Sequence, residues 1–194
     1  MSNVTARTLP PGEQEAATNT LVLAFAADPV ARWSWPAADL YLSAFPELVV
    51  AFGGGAFAHR GAHATDNFGS VALWLPPGVH PDEDALGALT ERTVTGPRLG
   101  EALSIFERMA RYHPTGPHWY LPLIGTDPAH QGHGHGSALM AYALAECDRV
   151  RLPAYLESTN PRNLSLYKRH GFEALGTIQV GTSPPIVPML RKAR

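Results

Sequence analysis

The stretch HQGHGHGSAL, residues 130–139, decides how this chain is interpreted. It follows the apolar run WYLPLIG, residues 119–125, and it opens an alanine-rich segment. Backbone N–H groups at the start of a helix lack partners, and the helix dipole adds partial positive charge there. Gly132, Gly134 and Gly136 let the backbone turn sharply and let an anion approach the amides without meeting a Cβ. A strand, a glycine-rich turn and a helix start therefore predict a phosphate or pyrophosphate site.

The spacing within the loop separates three kinds of phosphate site. A P-loop needs a lysine, and this loop has none. A dinucleotide fingerprint needs Gly-x-Gly-x-x-Gly after an early strand, whereas this loop lies late in the chain. The third pattern, Gln/Arg-x-x-Gly-x-Gly/Ala, is matched by residues 131–136, QGHGHG. The loop thereby resembles the pyrophosphate loop of the GNAT acyltransferase superfamily, which binds acetyl-CoA.

The flanking sequence extends the resemblance. LPLIGTDPAHQGHGHGSAL (121–139) is similar to the strand, loop and small-residue helix of that superfamily, and YLESTNPRNLSLYKRHGF (155–172) is similar to its second half. With AFAADPVARW (24–33), these segments resemble the puromycin N-acetyltransferases and their bacterial relatives. The resemblance implies a mixed α/β fold: a strongly twisted, mostly antiparallel sheet that splits between its two central strands, with helices on both faces.

Composition restricts the class of protein. The 194 residues are 45% hydrophobic and 16% charged, which is typical of a globular chain, and we expect one domain over residues 1–194. The net charge is −2, and the basic residues of the sequence form no stripe, so a nucleic-acid partner is not expected. The start of the chain has no signal-like apolar core, no run is long enough to span a bilayer, and Cys147 is the lone cysteine. These features predict a cytoplasmic protein with no membrane partner.

Residue patterning predicts the elements. AFAHRGA (56–62) and FGSVALWL (68–75) are typical of strands with a turn at HATDN (63–67), and WSWP (33–36) is typical of a loop with exposed tryptophans. Residues 38–52 form either one helix kinked at Pro46 or two short ones. Further strands are predicted at 3–9, 118–126, 153–158, 172–180 and 185–192, and further helices at 13–27, 83–95, 98–112, 136–150 and 161–170.

The resemblance implies which residues hold the cofactor. Backbone groups of a bulged strand would pair with the pantetheine arm of acetyl-CoA, the loop amides would hold its pyrophosphate, and an asparagine would contact the CoA arm. In this sequence the implied cofactor residues are Leu123, Ile124, Gly125 and Thr126 in the strand, Gln131, Gly132, His133, Gly134, His135, Gly136 and Ser137 in the loop and helix start, and Asn163.

Acetyl transfer to an amine needs a proton acceptor for the nucleophile and a donor for the leaving thiolate. Tyr167 matches the family tyrosine near the CoA sulfur, and its hydroxyl suits a general acid. Glu157 and His118 are candidates for the base, directly or through water, and His118 is also expected to contact the acceptor substrate. For Glu157 a structural hydrogen bond is the alternative, and for His118 an exposed loop position is. Cys147 lies on the apolar face of a predicted helix, which favours a direct ternary complex over an acetyl-enzyme.

Of the predicted sites, the acceptor site is the one about which the sequence says least. Trp33 and Trp35 lie where the family builds its acceptor pocket, and a flat apolar acceptor would suit their rings. Asp28 precedes them and either meets a cationic amine or only ends a helix. The loop histidines alternate with glycine and lack a carboxylate or cysteine partner, so no metal site is expected.

The sequence thus predicts an N-acetyltransferase that moves an acetyl group from acetyl-CoA to a primary amine of a small molecule. A protein N-terminal or lysine acetyltransferase, and a non-catalytic acyl-CoA-binding module, stay open as alternatives. The identity of the amine and a homodimeric state stay open as well.

Overall fold

The computed structural model describes residues 4–194. Its seven strands are β1 (Ala6–Thr8), β2 (Ala62–Thr65), β3 (Ser70–Leu75), β4 (Trp119–Thr126), β5 (Ala154–Ser158), β6 (Glu173–Ala174) and β7 (Val187–Arg191). They form one sheet in the order β1-β2-β3-β4-β5-β7-β6. All neighbouring pairs are antiparallel except β4 and β5, which are parallel.

Eight helices accompany the sheet: α1 (Gln14–Phe25), α2 (Pro29–Ser34), α3 (Ala38–Gly53), α4 (Gly55–Ala58), α5 (Glu83–Thr93), α6 (Pro97–Tyr112), α7 (His135–Arg149) and α8 (Leu164–Arg169). All six residues of β3 are buried, and they alternate between two cores. Val71 and Leu73 pack with α1 and α3, whereas Ala72 and Trp74 pack with α7 and α8. The helices therefore cover both faces of the sheet, because each face of its central strands is apolar.

The two parallel strands separate soon after they meet. Pairing joins Trp119–Leu121 of β4 only with Ala154–Leu156 of β5, although β4 continues along β3 as far as Thr126. Pro122, which has no backbone N–H to donate, stands directly after the last paired residue of β4. A bulge interrupts the β3–β4 pairing at the same level. The predicted mostly antiparallel sheet, split between its central strands, is confirmed.

The structure differs from two predictions made for the residues that follow Gly53, Gly54 and Gly55. AFAHRGA does not begin as a strand, because Gly54 keeps helical dihedrals and α4 follows α3 directly. The buried Phe57 fixes α4 in the core. Strand β2 begins only at Ala62, so its residues occupy the first part of the stretch that was predicted to be a turn.

Helix α2 replaces the predicted loop at WSWP. Pro29 stands in its first turn and the Asp28 side chain caps its N-terminus, so the chain stays helical through Ser34. Trp35 is buried rather than exposed, and its indole N–H donates to Thr93 Oγ1 at 2.9 Å. Helix α3 runs as one helix through Pro46.

The other predicted elements agree with the structure more closely. The strand predicted after Gly171 shortens to β6, with an isolated bridge between Ile178 and Ile186 beyond it. The first predicted strand is confirmed over β1, and its first residue, Asn3, lies outside the described residues. The helices of residues 4–194 include none that is both long and apolar enough to cross a bilayer.

Candidate active site

A cavity of about 130 Å³ opens where β4 and β5 separate. Leu121–Ile124 of β4 and Leu156 and Glu157 of β5 form one side of it. Helices α1, α2, α3 and α6 supply a mostly apolar wall, including Phe25, Phe45, Phe52, Ile105, Phe106 and Met109. Two carboxyl side chains, Asp28 and Glu157, lie in this wall. The split in the sheet therefore gives an apolar cavity with a few polar groups.

The structure brings the predicted acid, Tyr167, into this cavity together with Asn163. Tyr167 is 4% exposed and its ring packs edge-on against Phe172. Burial raises the pKa of the Tyr167 hydroxyl, the nearby Asp28 carboxylate raises it further, and a hydrogen bond with Asn163 lowers it. The hydroxyl is therefore protonated at neutral pH and can donate a proton or a hydrogen bond.

Asp28 lies in the cavity wall, but its carboxylate is engaged by the protein. Its Oδ1 accepts the N–H groups of Val30 and Ala31 at 3.0 and 3.1 Å, and its Oδ2 accepts the hydroxyl of Thr159 at 2.6 Å. Burial raises the pKa of Asp28 against these hydrogen bonds. The sequence allowed a partner for a cationic amine or a helix stop, whereas the structure shows the carboxylate capping the N-terminus of α2, so it is not a free partner for a cationic amine.

The two tryptophans lie in the wall as well. Trp33 is half-buried and donates its indole N–H to Thr182 Oγ1 at 3.1 Å. Trp35 stands edge-on to Phe45, at 6.4 Å between ring centroids. Both rings therefore border the cavity from α2 and its C-terminal cap, although neither lies in the exposed loop that the sequence predicted.

Glu157 is the second carboxyl group of the cavity wall. Its side chain is 3% exposed, and its Oε1 lies 3.2 Å from Nε2 of His113. His113 directly follows α6 and packs against Tyr120 and Tyr155, whose ring centroids lie 4.6 and 4.5 Å away. Sequence reasoning missed His113, because nothing local distinguishes a histidine at a helix end from a polar turn residue.

His118 is not brought to the cavity. It is half-buried beside His113, and its Nδ1 lies 2.8 Å from the carbonyl oxygen of Gly116. Burial lowers the pKa of His118. Its predicted contact with substrate is therefore corrected to a place in the aromatic cluster behind Glu157.

The predicted pyrophosphate loop lies at the end of β4. Asp127 begins it by accepting the N–H of Ala129 at 2.9 Å, and a short 3₁₀ turn follows over Pro128–His130. Gly132 and Gly134 have φ of 79° and 90°, in the left-handed region that favours glycine. Both are exposed, and a Cβ added to either would meet no atom within 4 Å. Gly134 caps α7, whose first N–H groups lack intrahelical partners.

The predicted cofactor residues of the loop differ in their surroundings. Gln131 and His133 are exposed. The ring of His135 faces β2, with Nδ1 2.7 Å from Thr65 Oγ1, and burial lowers its pKa. Ser137 Oγ lies 2.9 Å from Nε2 of His170. His133 is thus the loop histidine that is free to approach an anion.

Two predicted cofactor glycines also have packing roles. A Cβ on Gly125 would lie 2.5 Å from that of Ala24, so α1 approaches β4 closely at this point. A Cβ on Gly136 would lie 3.3 Å from Leu166 of α8. Leu123, Ile124, Gly125 and Thr126 pair with β3 along one edge, and beyond Leu121 their other edge has no pairing with β5. That edge is free to pair with an extended ligand. Within residues 4–194, no three His, Cys, Asp or Glu side chains converge as a set of metal ligands.

Comparison with known proteins agrees with this geometry. The family model described as Acetyltransferase (GNAT) family matches residues 95–172, which include β4, the glycine loop, β5 and α8. Residues 95–172 of the chain are therefore similar to the GNAT acetyltransferase family. A crystal structure of histone acetyltransferase HPA2 and related acetyltransferase from Corynebacterium glutamicum is 26% identical, with a TM-score of 0.70 over 98% of this chain and 97% of that one.

More distant structures share the GNAT fold. Arylalkylamine N-acetyltransferase 2 from Aedes aegypti is 10% identical, with a TM-score of 0.68 over 100% of both chains. Polyamine N-acetyltransferase from Drosophila melanogaster is 13% identical, with a TM-score of 0.65 over 98% of this chain and 100% of that one. The predicted GNAT fold and the predicted similarity to GNAT acetyltransferases are confirmed, and the finer resemblance to puromycin N-acetyltransferases stays a prediction.

A curated relative matches a shorter stretch. An uncharacterized N-acetyltransferase of Schizosaccharomyces pombe is 32% identical over 71 residues. The match covers 37% of this chain and 29% of that relative, so the chain spans about a third of the curated relative's length.

Proposed function

We propose that this GNAT protein transfers the acetyl group of acetyl-CoA to a primary amine of a small molecule. The observation that carries the proposal is the cavity at the split of the sheet, whose wall holds Tyr167 and Glu157 together. One group suits proton donation and the other suits proton acceptance. A thioester that enters between β4 and β5 would meet both groups.

The surfaces next to the split suit acetyl-CoA. The edge of β4 beyond Leu121 offers backbone groups to an extended amide-bearing arm such as pantetheine. Gly132 and Gly134 are exposed beside the N-terminus of α7, and that terminus suits a pyrophosphate. Asn163 lies in the cavity wall, where it would contact the CoA arm near Tyr167.

The proton balance of the reaction assigns a role to each group. The ammonium group of the acceptor gives one proton to the Glu157 carboxylate, and the neutral amine then attacks the thioester carbonyl. When the C–S bond breaks, the Tyr167 hydroxyl gives its proton to the sulfur, and the second proton of the amine restores the hydroxyl. The products are the N-acetyl amine, CoA thiol and one proton. Cys147 is buried and burial raises its pKa to about 12, which supports a direct transfer.

The wall of the cavity favours an apolar amine. Trp33, Trp35 and several phenylalanines line it, and the Asp28 carboxylate is occupied by its own helix cap. A polyamine would bury extra charges against this wall without partners, which costs free energy. Some structural neighbours are named for arylalkylamines, and another for a polyamine. We therefore propose an arylalkyl primary amine as the acceptor class, in the cytoplasm, where a free thiol such as Cys147 is stable.

A thiol-release assay with purified protein and acetyl-CoA tests the proposal. The panel contains phenylethylamine and tryptamine, spermidine and agmatine, and a peptide with a free N-terminus and a lysine. We expect kcat/KM for the arylalkylamines to exceed that for the polyamines by at least tenfold, about 1.4 kcal/mol. Preferred release with the peptide would support the protein-acetylating alternative instead. Acetyl-CoA binding without thiol release from any amine would support the non-catalytic alternative.

A further inference from the structure

The Glu157 carboxylate is nearly enclosed, so a proton that it accepts must leave through a neighbouring group. Its side chain is 3% exposed, whereas that of His113 is 29% exposed. Nε2 of His113 lies 3.2 Å from Oε1 of Glu157, and that oxygen has no hydrogen bond of good geometry within residues 4–194, so the imidazole must turn slightly before a proton passes between the two atoms. His113 therefore stands between the carboxylate in the cavity wall and the solvent.

The tyrosines beside Glu157 cannot take over this role. The hydroxyl groups of Tyr120 and Tyr155 are buried, and within residues 4–194 neither has a hydrogen-bond partner of good geometry. Burial raises the pKa of both hydroxyls, and the negative charge of Glu157 raises both further. Both tyrosines stay protonated at neutral pH, so they can only donate hydrogen bonds to the carboxylate.

The position of His113 suits a cation that forms and decays. It directly follows α6, and the C-terminal carbonyl groups of a helix carry partial negative charge. The titratable or charged groups around it are Glu157, Tyr120 and Tyr155 from the strands, His118 from the preceding loop, and Arg111 and Tyr112 from its own helix.

His118 is a less suitable carrier than its neighbour. The carbonyl of Gly116 lies 2.8 Å from its Nδ1, and His118 does not lie in the cavity wall. Burial lowers its pKa, the hydrogen bond with the Gly116 carbonyl raises it, the charges of His113 and His80 lower it, and the more distant charge of Glu157 raises it. It is therefore a matched control, because it is a half-buried histidine of the same cluster without the carboxylate contact.

We propose that His113 is a positioning residue that accepts from Glu157 the proton lost by the acceptor ammonium and releases it to solvent. The inference rests on the proposed function. The ammonium N–H bond breaks as the carboxyl O–H bond forms. That proton then moves to Nε2 of His113, which restores the carboxylate, and it leaves from the imidazolium to water. One proton is released for each acetyl group transferred, as the overall reaction requires.

Kinetics with the best amine of the panel test the relay. His113 must present an unprotonated ring nitrogen to accept a proton, so kcat/KM should rise with pH in the wild type. In His113→Gln that limb should move to higher pH, where the amine loses its proton in solution. We expect kcat at neutral pH to fall at least tenfold while KM for acetyl-CoA is unchanged. Imidazole should partly restore the rate of His113→Ala, and His118→Gln should keep the wild-type profile. A wild-type profile for folded His113→Gln, or a shift in His118→Gln instead, overturns the proposal while the proposed function stands.

A measurement without turnover separates the two claims. NMR of the histidine rings at one fixed pH should show larger chemical-shift changes at His113 than at His118 in Glu157→Gln, because the substitution removes the carboxylate oxygen 3.2 Å from Nε2 of His113. Unchanged His113 ring signals overturn the proposed contact even if no amine is acetylated. Changed His113 signals in a protein that acetylates no amine support the pair and contradict the proposed function alone.

Discussion

Tyr167 illustrates how the surroundings of one residue prepare its chemistry. Its phenol ring is buried between the cavity and the core that contains Ala72 and Trp74, and Asn163 lies near its hydroxyl. Burial and the neighbouring Asp28 raise its pKa, so the proton stays on the oxygen until a stronger base appears. A thiolate that forms in the split would be such a base. The hydroxyl therefore acts mainly in the transition state rather than in ground-state binding.

Replacing Tyr167 by Phe should lower turnover by about 10²-fold, with acetyl-CoA affinity nearly unchanged. The ring keeps its packing, so the fold should survive. Tyr41→Phe is the matched control, because Tyr41 is also buried and its hydroxyl donates to the Val22 carbonyl outside the cavity. That variant should lose about 1 kcal/mol of stability and keep its turnover. Steady-state kinetics and calorimetry measure both effects, and wild-type turnover in folded Tyr167→Phe would remove the residue from the mechanism.

Sequence reasoning reached some of these residues and missed others for a physical reason. Tyr167 and Asn163 were assigned through the resemblance of one short segment to GNAT proteins, which implies their roles. The contact of His113 with Glu157 joins the end of α6 to β5, which no local pattern can indicate. For Asp28 the sequence left an amine partner and a helix stop as alternatives, and its hydrogen bond with Thr159, which is distant in sequence, is visible only in the structure.

At the scale of elements, the glycine loop between β4 and α7 is the most predictable part. Its strand, turn and helix follow from local residue types, and Gly134 adopts the left-handed conformation that such a turn needs. The errors fall where tertiary packing decides. Residues 56–58 alternate like a strand but continue helically after α3, with Phe57 in the core. Likewise, Trp33 of α2 and Trp35, which caps its C-terminus, were predicted to be exposed, but both form part of the cavity wall.

Gly134→Val tests the role of the loop. The added side chain would stand where a pyrophosphate must approach the amides, so acetyl-CoA affinity should fall at least tenfold, about 1.4 kcal/mol. The variant also strains a residue with φ of 90°, and Gly78→Val controls for that strain. Gly78 has φ of 83°, and a Cβ there would likewise meet no atom within 4 Å. Calorimetry should show a loss for Gly134→Val alone, and equal affinities of the two folded variants would contradict the loop assignment.

At the scale of the whole molecule, the site forms because β4 and β5 stop pairing within a sheet that helices cover on both faces. Strand β4 pairs with β3 on both sides of the bulge and packs against α1 at Gly125, so it keeps these contacts beyond the point where its pairing with β5 ends. Apolar residues from α1, α2, α3 and α6 line the resulting gap. The glycine loop and α7 lie at the end of β4, beside the split. This arrangement could be predicted as a fold from the two motif segments, but the shape of the acceptor wall could not, because α2, α3 and α6 lie outside them.

Hydrogen–deuterium exchange with and without acetyl-CoA tests the central claim that the cofactor lies in this split. The account predicts slower exchange at residues 123–126 of β4 and at residues 131–137 of the loop and helix start when acetyl-CoA is present, because ligand oxygens would accept the N–H groups there that do not pair within the protein. Strands β6 and β7 should be unaffected. Protection that appears elsewhere, with residues 123–126 and 131–137 unchanged at saturating acetyl-CoA, would contradict the account.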